Sequence, residues 1–151
     1  MTQISNDTDF RQAIGQLDFN KQRELAGRFV NNVIALSTDD RVGRVVNVAL
    51  DDAASDDEVT SAQKTAKAAT VDCHTRCGSE GDWKEQAGYF VARAAAAAMM
   101  PESQNRGGGP AWQAAMSCRM ARTSELIDNE EGSDSDEMEK QYQILSDYLN
   151  G

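Results

Sequence analysis

The chain has 151 residues, with one histidine, His74, and three cysteines. One imidazole cannot supply the two Glu-x-x-His motifs of a di-iron bundle or a proton-shuttling pair of histidines. Any Ser-His-Asp or Cys-His catalytic unit would have to use this single residue. An odd number of cysteines fits reduced thiols better than a disulfide framework. The sequence therefore indicates no catalytic constellation, and we expect a non-enzymatic protein without a cofactor.

Long apolar runs and basic charge are also scarce. Residues 90–100 form the most apolar stretch, which is interrupted by Arg93 and is far shorter than the roughly 20 residues that span a bilayer. Residues 1–9 lack the basic and then apolar pattern of a signal peptide, so we expect a cytoplasmic protein. The 25 acidic residues outnumber the 15 basic ones, giving a net charge of -10. This charge disfavours direct contact with nucleic acid or a membrane and favours a basic protein partner.

The apolar residues recur with a helical period, and capping residues recur between them. This pattern predicts an all-α fold, a single-domain antiparallel bundle of about six to seven helices covering residues 1–151. Asn6 or Asp7 is expected to cap the first helix and Asp18 the second. The third is expected to begin at Thr38 and to turn Val42, Val45, Val46, Ala49 and Ala53 inward. Ser55 and Glu58 form a capping box for a fourth helix that runs to about Cys77.

The second half of the chain predicts three more helices. An alanine-rich fifth helix covers residues 81–100, with Trp83, Phe90 and Ala94 among its inward residues. A flexible glycine-rich loop at 102–110 leads to Pro110 and a sixth helix with Trp112, Met116, Met120 and Ile127 inward. An acidic linker at 128–137 precedes a last helix, which is expected to dock through Met138, Tyr142, Leu145 and Leu149.

Metal binding is the first chemistry to weigh, because Cys73, His74 and Cys77 share one region of a helix and Cys118 could complete a zinc site. The simpler interpretation is a structural role, in which Cys73 and Cys77 continue an apolar stripe as small hydrophobic residues. The advance of 100° per residue turns Cys118 away from Trp112 and Met116, and hence away from the expected core. We therefore predict no metal, and keep the four residues as the ligand set of the alternative.

Two other features could hold an anion. Gly107, Gly108 and Gly109 with Arg106 lead into a helix N-terminus, but no phosphate-loop motif is present, so a plain connection is the preferred interpretation. The second feature is a possible arginine cluster, for which ion pairing between helices is the commoner outcome. Its members are Arg93, Arg119 and Arg122.

Two acidic tracts, residues 51–58 and 128–139, could attract a basic partner. Within the second tract, the predicted partner-binding residues are Asp134, Asp136 and Glu137. The simpler interpretation is that both tracts keep the domain in solution.

From residue 40 onward, the order of features resembles the alanine-rich helical immunity proteins that are found beside bacterial toxins. The resemblance is carried by the opening Asp39-Asp40-Arg41, the alanine-bearing helix at 61–69, the alanine run at 92–98, the helix at 112–127 and the closing segment 139–145. Members of that family often carry histidine in their alanine-rich helices, and this chain does not. The resemblance implies an all-helical cytoplasmic protein that sequesters a toxin, and it assigns no binding residue.

The leading hypothesis is thus an acidic protein-binding module, in particular an immunity or inhibitor protein that sequesters a basic protein. One alternative is a zinc-binding or thiol redox-sensing domain built on the three cysteines and His74. Another is a nucleic-acid mimic, although bases interrupt any regular face of carboxylates on the third and fourth helices: Arg41, Arg44, Lys64, Lys67 and Arg76.

Overall fold

The computed structural model describes residues 3–77, 82–104, 108–128 and 136–151. Within these ranges the chain forms seven α-helices, two short 3-10 helices and no strand, which confirms the predicted all-α fold. The α-helices are α1 (Asp7–Gly15), α2 (Phe19–Asn32), α3 (Asp40–Leu50), α4 (Asp56–Cys77), α5 (Trp83–Ala98), α6 (Gly109–Asp128) and α7 (Glu137–Asn150). No helix in the described part of the chain is long and apolar enough to cross a membrane.

The predicted caps of three helices are confirmed. The Asn6 side chain accepts a hydrogen bond from the Asp9 backbone N–H at 2.8 Å, and Asp18 accepts one from Lys21 at 2.8 Å. At the start of α4, the Ser55 hydroxyl accepts from the Glu58 N–H at 3.1 Å while the Glu58 carboxylate accepts from the Ser55 hydroxyl at 3.2 Å. These side chains satisfy backbone donors that the first helical turn leaves free.

Helix α3 is shorter than predicted at both ends. Its cap is Asp39 rather than Thr38, and the Asp39 carboxylate accepts from the Arg41 N–H at 3.0 Å. At the other end, the Asp51 carboxylate accepts from the Ala53 N–H at 2.9 Å, and this local turn takes the backbone out of the helix. Ala53 is consequently exposed, so its predicted inward position is wrong.

The most extensive contact between helices joins α5 to α6. Both helices turn alanine toward the core, and small side chains let helix axes approach closely. On α5 the buried set includes the predicted Phe90 and Ala94, and on α6 it includes Ala111, Ala114, Ala115, Cys118 and Ala121.

This packing corrects the predicted faces of α5 and α6. Trp83 is 42 % exposed, and Met120 and Ile127 are also exposed, while Trp112 and Met116 are only partly buried. The sequence pattern placed the largest apolar residues inward. The close approach of α5 instead selects the alanine face of α6 and leaves the long side chains at its margin.

An aromatic cluster fills the core between α1, α2, α6 and α7. Phe10 is fully buried, with ring centroids 5.6 Å from Phe29, 6.1 Å from Trp112 and 5.4 Å from Tyr142. Such distances suit tilted and edge-to-face packing of aromatic rings. One residue of α1 thereby joins four helices.

Helix α7 packs against α2 and α6. Leu145 and Tyr142 are buried as predicted, and Leu149 is partly buried, but Met138 is 39 % exposed, so its predicted inward position is wrong. The Gln141 amide donates to the Ala115 carbonyl at 2.9 Å, which places a polar bond inside the contact with α6. The Ile4 N–H donates to the Ser146 hydroxyl at 3.1 Å, so the N-terminal segment also lies against α7.

Parts of both predicted connections lie outside the described residues. In the loop at 102–110, Glu102–Gln104 form a 3-10 helix, while residues 105–107 are not described. Gly108 has a φ of 93°, and a Cβ there would approach the Trp112 ring to 2.8 Å, so the position favours glycine. In the linker at 128–137, residue 128 ends α6 and residues 129–135 are not described.

Candidate functional site

The three predicted partner-binding residues have different outcomes. Asp134 lies outside the described residues. Asp136 precedes α7 and is exposed. Glu137 is fully buried, so its carboxylate is not available to a partner, and the prediction for this residue is wrong.

Glu137 is held inside an interhelical polar network. Its two carboxylate oxygens accept hydrogen bonds from the Asn32 amide of α2 at 2.9 and 3.1 Å. Its Oε1 also lies 3.3 Å from Nε of Arg122 on α6, and Arg122 pairs in addition with Glu125 at 2.8 Å. A buried carboxylate requires such partners, because an unpaired charge is costly in the interior. Glu137 therefore joins α7 to α2 and α6.

Arg119 forms a second network, on the same side of α6. Its guanidinium forms a bidentate ion pair with the Asp7 carboxylate of α1, at 2.9 and 3.0 Å. Its Nε donates to the side-chain oxygen of Gln141 at 2.8 Å. The Tyr142 hydroxyl donates to the same Asp7 carboxylate at 2.8 Å. The hydrogen bonds from Arg119 are the main cause that lowers the pKa of Asp7, whereas burial is the main cause that raises the pKa of Tyr142.

These contacts bear on whether Arg93, Arg119 and Arg122 form a cluster that could hold an anion. Arg119 and Arg122 pair with carboxylates between helices, as the sequence favoured, and their donors are occupied within the protein. Arg93 is exposed on α5 and forms no ion pair with a described residue. The three arginines therefore do not combine into a site for an anionic ligand. Part of the possible glycine-rich anion site lies outside the described residues, namely Arg106 and Gly107.

The cysteines lie in separate surroundings. Cys73 is buried on α4, where the Arg76 guanidinium lies 3.0 Å from its sulfur, and burial raises the pKa of its thiol. Cys118 is fully buried on α6, which corrects the prediction that it turns away from the core, and burial raises its thiol pKa well above the usual value. The charged groups around Cys118 are Glu137 and Arg122, neither of which lies beside Cys73.

His74 is exposed and packs its ring against Tyr89, with 5.4 Å between the centroids. The side chain of Cys77 lies outside the described part of the structure. Among the side chains that are described, no three His, Cys, Asp or Glu residues form a group that could hold a metal ion. Raised thiol pKa values also lower the fraction of reactive thiolate, since the thiolate is the nucleophile and the metal ligand.

A small cavity of about 240 Å³ lies beside Cys73. Its lining includes Arg76, Lys84 and Glu85, and Arg76 pairs with Glu85 at 3.6 Å. Arg76 also lies 3.9 Å from Asp39, whose pKa is lowered chiefly by its hydrogen bonds with Arg41. Arg76 thus pairs with carboxylates from the cap of α3 and from α5, while Lys84 forms no ion pair with a described residue.

The remaining candidate is the 51–58 acidic tract, which connects α3 to α4. Its carboxylates are exposed and form no ion pair with any described residue: Asp51, Asp52, Asp56, Asp57 and Glu58. Beside the tract, α3 and α4 enclose an open groove of about 360 Å³. Sequence reasoning identified the tract, but it missed the groove, which depends on the angle at which the two helices meet.

The search for related proteins finds no match to this chain among protein-family models, curated proteins or solved structures.

Proposed function

We propose that this protein is a non-enzymatic, cytoplasmic binding module whose acidic surface recognises a basic protein. The observation that carries the proposal is that five exposed carboxylates are concentrated in the 51–58 acidic tract. Asp7, Asp39 and Glu137 pair with arginines. The five carboxylates of the tract form no ion pair with a described residue, so more of their negative potential extends into the solvent.

A surface of this kind acts mainly on encounter and selection. Complementary potential raises the association rate with a basic partner and disfavours acidic competitors. An immunity or inhibitor protein has this requirement, because it must capture its target quickly and selectively. The proposed role in the cell is accordingly to sequester a basic protein, of which a toxin is one example.

Affinity capture from a lysate of the source cell tests this proposal. The bait is compared with the variant Asp52→Asn/Asp56→Asn/Asp57→Asn, which removes three charges from the tract. The control is Asp40→Asn/Glu139→Gln/Asp147→Asn, which removes the same number of exposed charges elsewhere. Both sets include acidic residues in the first turn of a helix, so their effects on helix stability are similar.

We expect the wild-type bait and the control to retain a basic protein that the tract variant loses. The retained complex should dissociate as the salt concentration rises above about 0.15 M, where charges farther apart than about 8 Å are screened. Retention of an acidic protein only, or equal retention by all three baits, would contradict the proposed function.

A further inference from the structure

The groove beside the acidic tract has an apolar floor and charged edges. Val45 and Ala62 are buried at its base, and Val48 is partly buried. Asp57 and Glu58 line it from α4, and Arg44 lines it from α3. The groove therefore combines apolar surface with an asymmetric distribution of charge.

The composition and the open shape of the groove suit an amphipathic helix. Helices that bind in a groove insert apolar side chains spaced three or four residues apart and keep their polar face in solvent. A volume of about 360 Å³ is at the low end for a small-molecule pocket, and the groove is bounded by two exposed helix faces rather than closed over. It can accept a few apolar side chains from a longer segment that continues along the surface.

The acidic residues around the groove favour a segment that carries positive charge. Asp57 and Glu58 stand at the groove, and Asp51, Asp52 and Asp56 extend the negative surface beyond its end. Arg44 is the basic side chain on the lining, so five carboxylates outweigh it locally. Asp52 makes no hydrogen bond with a described residue and does not belong to the first turn of α4, so its charge serves neither the turn nor the helix start.

We propose that the α3–α4 groove is the docking site for a cationic amphipathic helix of the partner protein. The apolar residues of that helix would contact Val45, Val48 and Ala62, and its lysines or arginines would face Asp57, Glu58 and the rest of the tract. This inference rests on the proposed function, and it adds the location and the shape of the recognised segment.

The test uses a synthetic, fluorescently labelled peptide of about 18 leucine and lysine residues, arranged so that leucine forms one face of a helix. Its dissociation constant is measured by fluorescence anisotropy in low salt. The variant Ser61→Trp places an indole in the groove, because Ser61 is exposed and lines it. The matched control is Thr60→Trp, since Thr60 is exposed on the same helix but does not line the groove.

We expect Ser61→Trp to weaken binding by about tenfold or more, and Thr60→Trp to change it by less than about twofold. Replacing Asp52 and Asp57 by asparagine should weaken binding by about three- to tenfold, as expected for two exposed charge pairs. Amide chemical shifts of the wild-type protein should change around Val48, Ala62 and Thr65 as the peptide is added. Circular dichroism of each variant checks that the helices remain folded.

The outcomes separate the groove from the wider proposal. If Ser61→Trp and Thr60→Trp bind the peptide equally well, the groove is not the docking site. The same conclusion follows if Glu139→Gln/Asp147→Asn weakens binding as much as the change at Asp52 and Asp57, because net charge alone then explains the attraction. In both cases a basic partner is still recognised. If the wild-type protein does not bind the peptide in low salt, the acidic surface does not attract basic helices and the proposed function fails as well.

Discussion

Glu137 is a charged residue inside a run of acidic residues, and its burial determines how α7 is held. Replacing it with alanine would leave the Asn32 amide and part of the Arg122 guanidinium without an acceptor. Removing one partner of a buried ion pair costs about 3 to 5 kcal/mol. We expect Glu137→Ala to lower the free energy of unfolding by that amount, as measured by urea denaturation.

The neighbouring Glu139 provides a control for this prediction. Glu139 is exposed on the same helix, so Glu139→Ala should change the free energy of unfolding by no more than about 0.5 kcal/mol. Equal effects of the two substitutions would show that the pair with Arg122 does not hold α7 in solution.

The ion pair between Asp7 and Arg119 predicts a dependence of stability on pH. Because hydrogen bonds from Arg119 lower the pKa of Asp7 in the folded protein, the pair stabilises the fold above the ordinary carboxyl value of 3.8. The stabilisation is lost as the pH falls below 3.8 and through the lower pKa of the folded state. The difference in unfolding free energy between wild type and Asp7→Asn should therefore be constant near neutral pH and disappear in acid. A difference that persists unchanged at pH values well below 3.8 would contradict this assignment.

The cysteines lead to a prediction about metal content. Cys73 and Cys118 are buried beside different sets of charged residues, and zinc requires its ligands within about 2.0 to 2.3 Å of one ion. We expect elemental analysis of protein purified without chelator to find well under one zinc or iron per chain. Stoichiometric metal that is lost on mutating Cys73, His74, Cys77 or Cys118 would favour the zinc-binding alternative instead.

At the scale of helices, the caps of α1, α2 and α4 were more predictable than the buried faces. Asn6, Asp18 and Ser55 act on backbone groups within three residues, so local sequence is sufficient to identify them. The inward face of α6 depends on what α5 presents to it, and that information is not local. A rule that turns the largest apolar residue inward consequently failed for Met120 and placed Cys118 outside the core.

The same distinction applies to the candidate sites. The charge of the 51–58 acidic tract is visible in the sequence because five acidic side chains occur within eight residues. The burial of Glu137 is not visible in the sequence, because it requires Arg122 and Asn32 from two other helices. The one signal for this contact in the sequence was Arg122, which lies in an apolar helix and was expected to pair with a carboxylate on another helix. The α3–α4 groove left no such signal.

The alanine packing between α5 and α6 gives a prediction at the scale of these elements. Ala94 is fully buried on α5, so Ala94→Leu adds a larger side chain inside the packed core. Overpacking of this kind typically costs about 1 to 3 kcal/mol. We expect that loss in urea denaturation. Ala68→Leu on the exposed face of α4 is the control and should have an effect within about 0.5 kcal/mol, so equal losses would contradict the close contact.

For the whole molecule, the important electrostatic feature is that the arginines of the core network are already paired while the negative excess remains on the surface. Arg119 and Arg122 connect helices, so they contribute little positive potential that a partner could sense. The net charge of -10 therefore acts mainly as repulsion among exposed carboxylates. This repulsion opposes the compact state and simultaneously provides the attraction for a basic partner.

Screening this repulsion should stabilise the protein. We expect the midpoint of urea denaturation to rise between about 10 mM and 200 mM NaCl, because buried ion pairs are screened less than exposed charges. Urea is the appropriate denaturant, since guanidinium chloride is itself a salt. Asp52→Lys should raise the midpoint in low salt and reduce its dependence on NaCl, because Asp52 makes no hydrogen bond with a described residue and lies among like charges. Lys67→Glu, at an exposed position in the middle of α4, should have the opposite effect. Identical salt dependence in the two charge reversals would show that repulsion among exposed carboxylates does not determine how stability depends on salt.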